Sequence, residues 1–101
     1  MAGFVQIIEF KTSRIDEIEA LANERSPQMQ AGSTVHRVTI TADRDRPGYY
    51  FTIAEFDSYE TAMENSNRPE TSEFAAQMVK LCDGPPKFYN LDVYRVMEVG
   101  S

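Results

Sequence analysis

Two segments of the chain, Phe4-Val5-Gln6-Ile7-Ile8-Glu9-Phe10 and Tyr49-Tyr50-Phe51-Thr52-Ile53-Ala54-Glu55-Phe56, are apolar at odd and even positions alike. Successive strand side chains point to opposite faces of a sheet, so each segment needs one cover above and another below. Thr34 to Ala42 instead alternates, with Val35, Arg37, Thr39 and Thr41 expected on one face and His36, Val38, Ile40 and Ala42 on the other. The charged turn Asp43-Arg44-Asp45-Arg46-Pro47-Gly48 joins this strand to the one starting at Tyr49 as an antiparallel hairpin. A last strand is predicted from Phe88 to Glu98. It should bury Tyr89, Leu91, Val93 and Met97 and offer Asn90, Asp92, Tyr94 and Val96 on its other face.

Helical periods fill the intervals. Ser13 and Asp16 have capping-box spacing, and Ile15, Ile18, Leu21 and Ala22 form one stripe, predicting about three helical turns that end at Ser26-Pro27. Gln28 to Ser33, with Gly32, reads as a connection that turns Met29 inward. Asp57 as cap, with Glu60 at the third helical position, opens a short helix. Pro69 interrupts it near Asn65 to Arg68, because proline opens a helix readily but fits badly inside one. From Glu70 a second segment carries Phe74, Ala75, Met78, Val79, Leu81 and Cys82 until Asp83-Gly84-Pro85-Pro86.

The order strand, helix, strand, strand, helical pair, strand is an α+β split βαβ arrangement, with helices on one face of an antiparallel sheet. The other face is left uncovered. Phe10 or Ile7, Phe51 or Ala54, and Tyr94 with Val96 fall there in either register, a patch too apolar to face water. Covering three such side chains contributes about 5–9 kcal/mol before association costs, so a second copy of the chain is the expected partner.

Composition narrows the function classes. A length of 101 residues, 42% hydrophobic and 26% charged, suits one folded domain spanning residues 1–101. A net charge of −6 repels phosphate backbones and anionic lipid, so neither nucleic acid nor membrane is expected as a partner. There is no apolar run of roughly 20 residues and no basic-apolar leader at Met1-Ala2-Gly3-Phe4, and the expected location is cytoplasmic. The single cysteine, Cys82, suits a reducing compartment and excludes a cysteine-rich metal site. Glu9, Glu55, Asp92 and Glu98 show no pair-defining spacing, so no metal is expected.

The element order, the two-faced strands, and the segment Phe56-Asp57-Ser58-Tyr59-Glu60-Thr61-Ala62-Met63 followed by Glu73-Phe74-Ala75 resemble the dimeric α/β barrel superfamily. Within it the chain is most similar to antibiotic-biosynthesis monooxygenase-like proteins. The resemblance implies a ferredoxin-like domain that forms a dimeric α/β barrel by packing two sheets face to face. It also implies a pocket under the helices for an aromatic or polyketide-like molecule, and cofactor-free monooxygenase-like chemistry. In that chemistry a deprotonated phenolic substrate itself reduces oxygen, which asks for a base and a polar clamp.

His36 is the only histidine and the candidate base; beside Val38 and Ile40 it reads equally as a hydrogen-bonded structural residue. Asn65 and Arg68, at the helical break, are candidates for holding a carboxylate or phenolate, or else for capping a helix. Gln6, Tyr50 and Tyr89 are candidate ligand contacts, and the two tyrosines serve equally as core or interface. Cys82 ends a helix, where the dipole suppresses the thiolate, and is not expected to act as a nucleophile. The haem-degrading branch of the superfamily implies an Asn, a Trp and a helical His. This chain has no Trp and a strand His36, with Gln6 nearest to the Asn, so haem is not expected and no cofactor is assigned.

Three other readings remain. Gly48-Tyr49-Tyr50-Phe51 faintly resembles the aromatic strand of an RNA-recognition domain, but no basic stripe accompanies it. Lys11-Thr12-Ser13-Arg14 is too short and glycine-free for the phosphate cradle of an acylphosphatase. The third is a non-catalytic ligand-binding or stress-associated dimeric barrel, since this scaffold hosts many functions.

Overall fold

A computed structural model describes residues 3–30 and 34–100, without the side chains of residues 28–30. Four strands, β1 (Phe4–Lys11), β2 (Val35–Ala42), β3 (Tyr49–Phe56) and β4 (Lys87–Asp92), form one antiparallel sheet in the order β2-β3-β1-β4. Helices α1 (Ile15–Gln30), α2 (Tyr59–Ser66) and α3 (Pro69–Lys80) lie on one face. This is the expected α+β, ferredoxin-like arrangement.

The register decides which strand residues meet the helices. Phe4 pairs with Phe56, Gln6 with Ala54, Ile8 with Thr52 and Phe10 with Tyr50, and these even positions face the helices. Val5, Ile7, Phe51 and Ile53 therefore occupy the open face, beside Tyr89 and Leu91 of β4. Of the alternatives left open by the sequence, Ile7 and Phe51 are exposed to that face, while Phe10 and Ala54 lie under the helices.

The core is split in two. At one end of the sheet Phe4, Phe56 and Ala62 are buried together, with Val35, Ala54 and Met63 packed on them. At the other end Phe10, Ile18 and Met78 are buried, and the Tyr50 ring stacks on Phe10 at 5.8 Å between centroids. Two glycines allow the chain to close around these clusters. Gly48 turns the hairpin at φ +89°, a conformation costly for residues with a Cβ, and a Cβ on Gly3 would run into the Asp57 carbonyl.

Several sequence expectations are corrected. Helix α1 begins at Ile15, so the Ser13–Asp16 box does not form; instead the Thr12 hydroxyl accepts from the Arg14 N–H at 2.9 Å. The helix also passes through Pro27 to Gln30, because proline's fixed φ is itself helical and its missing N–H costs the helix a single hydrogen bond. Residues 31–33 of the expected connection, and the inward turn of Met29, lie outside the described residues. The cap of α2 is Ser58, boxed with Thr61, one residue later than expected, and Asp57 instead contacts His36. A bulge between Val35 and Arg37 gives the extra residue its own place, so Val35 faces the helices and not the side of Arg37 and Thr39.

Strand β4 stops at Asp92, short of the predicted Glu98. Asp92 pairs with Phe4, and a last described bond runs from the Val93 N–H to the Gly3 carbonyl. The following residues are not paired within the chain. Tyr94 is 100% exposed and Met97, expected to be buried, is 63% exposed. Leu91, also expected inside, is exposed on the open face.

Candidate functional site

Between the two core clusters, under the helices, the structure contains a cavity of about 430 Å³. Its floor is two neighbouring cross-sheet rows. Ile40 of β2, Thr52 of β3, Ile8 of β1 and Phe88 of β4 are partners in register, as are Val38, Ala54, Gln6 and Asn90. Thr52 and Ala54 leave space because they are the smallest side chains of the helix-facing set on β3. Ile18 and Ala22 of α1, Asn65 at the end of α2, and Phe74 and Met78 of α3 complete the roof. An ion pair between Arg25 and Glu73, 3.4 Å apart, ties α1 to α3.

Among the described residues no Asp, Glu, Lys, Arg or His lines this cavity. Its polarity comes from amides and hydroxyls, among them Gln6, Thr52, Asn65, Thr71 and Ser72. The Gln6 amide donates to the Asn90 side-chain oxygen at 3.0 Å. One amide bond of this kind fixes the Gln6 side chain while its own carbonyl oxygen can still accept a second donor. The arrangement can orient a carbonyl or hydroxyl in an apolar enclosure, and it contains no side chain that exchanges a proton near neutral pH.

The structure brings together two of the sequence-predicted residues, Gln6 and Asn65. Arg68 is adjacent but not in the lining: its guanidinium lies 3.5 Å from the Asn65 side-chain oxygen and 3.6 Å from the Glu70 carboxylate. The expected anion-holding N–H group at the break is also engaged, since the Arg68 N–H donates to the Asn65 carbonyl at 3.2 Å. Tyr50 supports the cavity end through Phe10 without lining it. Tyr89 lies on the opposite sheet face, where its hydroxyl donates to Glu9 at 3.2 Å. His36 sits in the β2 bulge, 48% exposed, with Nε2 2.6 Å from Asp57 Oδ1.

Sequence reasoning missed Thr52, Asn90, Thr71 and Ser72. Parity could have found the first two, because Thr52 and Asn90 share the even face with Gln6. Thr71 and Ser72 carried no signal beyond their place after Pro69.

A smaller hollow of about 310 Å³ lies at the end of β1, lined by Glu9, Lys11, Tyr49, Asp83 and Lys87. Its charges are mutually neutralising, and the Arg46 guanidinium stacks 4.3 Å from the centre of the Tyr49 ring beside it. Cys82 is half-buried; burial pushes its thiol up, and the neighbouring Asp83 carboxylate adds to the effect. Among the described residues no three His, Cys, Asp or Glu side chains gather as a metal site, and no helix is long and apolar enough to cross a membrane.

No protein-family model matches the sequence, and no curated protein does. Solved structures do match. SnoaB, a cofactor-independent oxygenase from Streptomyces nogalater, superposes with a TM-score of 0.78 over 96% of this chain and 98% of its own, at 13% identity. A putative antibiotic biosynthesis monooxygenase from Bordetella bronchiseptica gives 0.75 over 94% and 99%, at 16% identity. A conserved protein from Methanosarcina mazei Go1 gives 0.78 over 91% and 93%, at 7% identity. At such identities likeness establishes architecture and not activity, and the architecture of this chain is the ferredoxin-like fold of antibiotic biosynthesis monooxygenase-like proteins.

Proposed function

We propose that the protein is a small-molecule-binding homodimer whose cavity holds an aromatic or polyketide-like molecule for cofactor-free, monooxygenase-like chemistry. The observation that carries this reading is the cavity under the helices, uncharged among the described residues and lined by Gln6 and Asn65. A phenolic substrate would enter neutral and give up its proton to water only as it reacts; its electrons would reduce O2, one oxygen atom forming the new C–O bond of the product and the other leaving as water with two substrate hydrogens. Gln6 and Asn65 would hold its oxygen as hydrogen-bond partners inside an apolar enclosure, where such bonds count for more than in water. His36 is outside the lining, so exchanging His36 for Gln should leave binding and turnover unchanged.

The test is oxygen consumption with hydroquinones, anthrones and flavonoid-like phenols. Turnover that falls at least tenfold in Gln6→Leu and Asn65→Leu supports the reading. Tight binding with oxygen uptake at background favours the second reading, a non-catalytic binding protein, for which the absence of any ionisable lining side chain speaks directly.

Self-association is proposed through the open face. Val5, Ile7, Phe51 and Ile53 form its centre, flanked by the Arg37–Glu55 ion pair at 3.0 Å. The unpaired, apolar stretch with Tyr94, Val96 and Met97 adds a second reason for a partner. Light scattering should give about twice 11.5 kDa, and Ile7→Lys should return the protein to that monomer mass. A monomer at micromolar concentration would refute the assembly. The lone thiol and acidic balance suit a cytoplasmic setting.

A further inference from the structure

We propose that the cavity is a slot open at both edges of the sheet, and that its ligand is an uncharged, elongated molecule gripped at its middle with both ends projecting. This rests on the reading that the cavity binds a small molecule, and goes further in assigning the ligand's shape and charge.

The geometry follows from the register. The row Ile40, Thr52, Ile8 and Phe88 lines the cavity on all four strands and the row beside it from Val38 to Gln6, so the cavity runs the width of the sheet along the first row. Along the strands it is walled at one end by Phe4 with Phe56 and at the other by Phe10 with Tyr50. Across the strands no described residue closes it in a comparable way. Each row ends in a side chain that reaches solvent: Val38 is 52% and Ile40 43% exposed on β2, and Phe88 is 52% exposed on β4 beside Val79 at 45%. Four strands at a spacing of about 4.8 Å make the slot roughly 14 Å long, and two rows on one face make it roughly 7 Å wide.

Such a slot selects by length and charge together. Apolar side chains at both mouths continue to desolvate a ligand as it leaves the sheet, so a longer molecule is not rejected. A charged group inside would lose its hydration with no counter-charge among the lining residues. The polar contacts of the floor, Gln6 and Thr52, come from the two central strands and meet the middle of the ligand, while Asn65, Thr71 and Ser72 approach from the helices above.

Symmetrical straight-chain ketones, uncharged and carrying one central carbonyl, test the proposal through displacement of Nile red. In the native protein affinity should rise about fourfold per added methylene until the chain spans the slot, and then hold level for ketones up to twice that length. Trp at both mouths, Val38→Trp with Val79→Trp, should weaken the long ketones at least tenfold more than the short ones. Circular dichroism checks the fold of that variant, and the native series stands without it. A sharp fall in affinity beyond the slot length would show a blind pocket and overturn the proposal, while leaving small-molecule binding intact. Equal affinity for fatty carboxylates or alkylammonium ions of matched length would overturn the uncharged assignment. No binding of any ketone or of the phenol panel would overturn the underlying reading as well.

Discussion

Thr12→Val isolates one buried hydroxyl that joins three parts of the fold. Thr12 is 2% exposed and is the buried polar residue beside the Phe10 cluster. Its hydroxyl donates to the Leu81 carbonyl at the end of α3, at 2.6 Å, and accepts from the Arg14 N–H that leads into α1, at 2.9 Å. Valine has the same shape and neither capability. Both backbone groups would lose their partner, at about 1–3 kcal/mol each for a buried orphan, and partial access of water places the sum at roughly 2–4 kcal/mol. For a domain of this size that lowers Tm by roughly 10–20 °C. Urea unfolding followed by circular dichroism should show a lower midpoint with an unchanged slope, at fixed protein concentration so that the proposed self-association contributes equally to each variant. Thr12→Ser keeps the hydroxyl and drops one methyl, and should cost only about 1 kcal/mol. The reasoning fails if valine lies within 0.5 kcal/mol of the native protein, a loss too small for an orphaned bond, or if serine costs as much as valine.

Three further outcomes are expected. Ser58→Ala removes the box that accepts from the Thr61 N–H at 3.2 Å and should lower stability by about 1 kcal/mol in the same unfolding assay. The Arg46 guanidinium, with the Asp45 N–H, holds the Asp43 carboxyl below its ordinary 3.8, so the stability it contributes is present above that value and is lost as pH falls through the lower folded value. Acid titration of unfolding should therefore show a smaller acid-side loss in Asp43→Asn than in the native protein. The Cys82 thiol is held above its ordinary 9.0, so its reaction with a disulfide reagent at pH 8 should run slower than that of free cysteine and accelerate on unfolding.

The elements were legible in the sequence where local chemistry decides them. Odd-even apolar parity marked β1 and β3 as strands needing two covers, Pro69 and Asn65 to Arg68 marked the break between α2 and α3, and Asp43 to Gly48 marked the hairpin, since turns, breaks and periods are properties of neighbouring residues. Of the cavity lining, Gln6 was legible as the nearest counterpart of a strand Asn in related proteins and Asn65 as part of the helical break before Pro69. What parity alone does not choose is the sign: Phe10 and Ile7 are equally apolar, and only pairing of Phe10 with Tyr50 under Ile18 and Met78 placed the even residues under the helices. The bulge at His36, the end of β4 at Asp92 and the position of Tyr89 on the open face likewise depend on partners 18 to 88 residues away in sequence. The two-faced strands thus required a second cover from the start, but the cavity exists only because register aligned Thr52 and Ala54 between larger side chains, a contact pattern that no single segment contains.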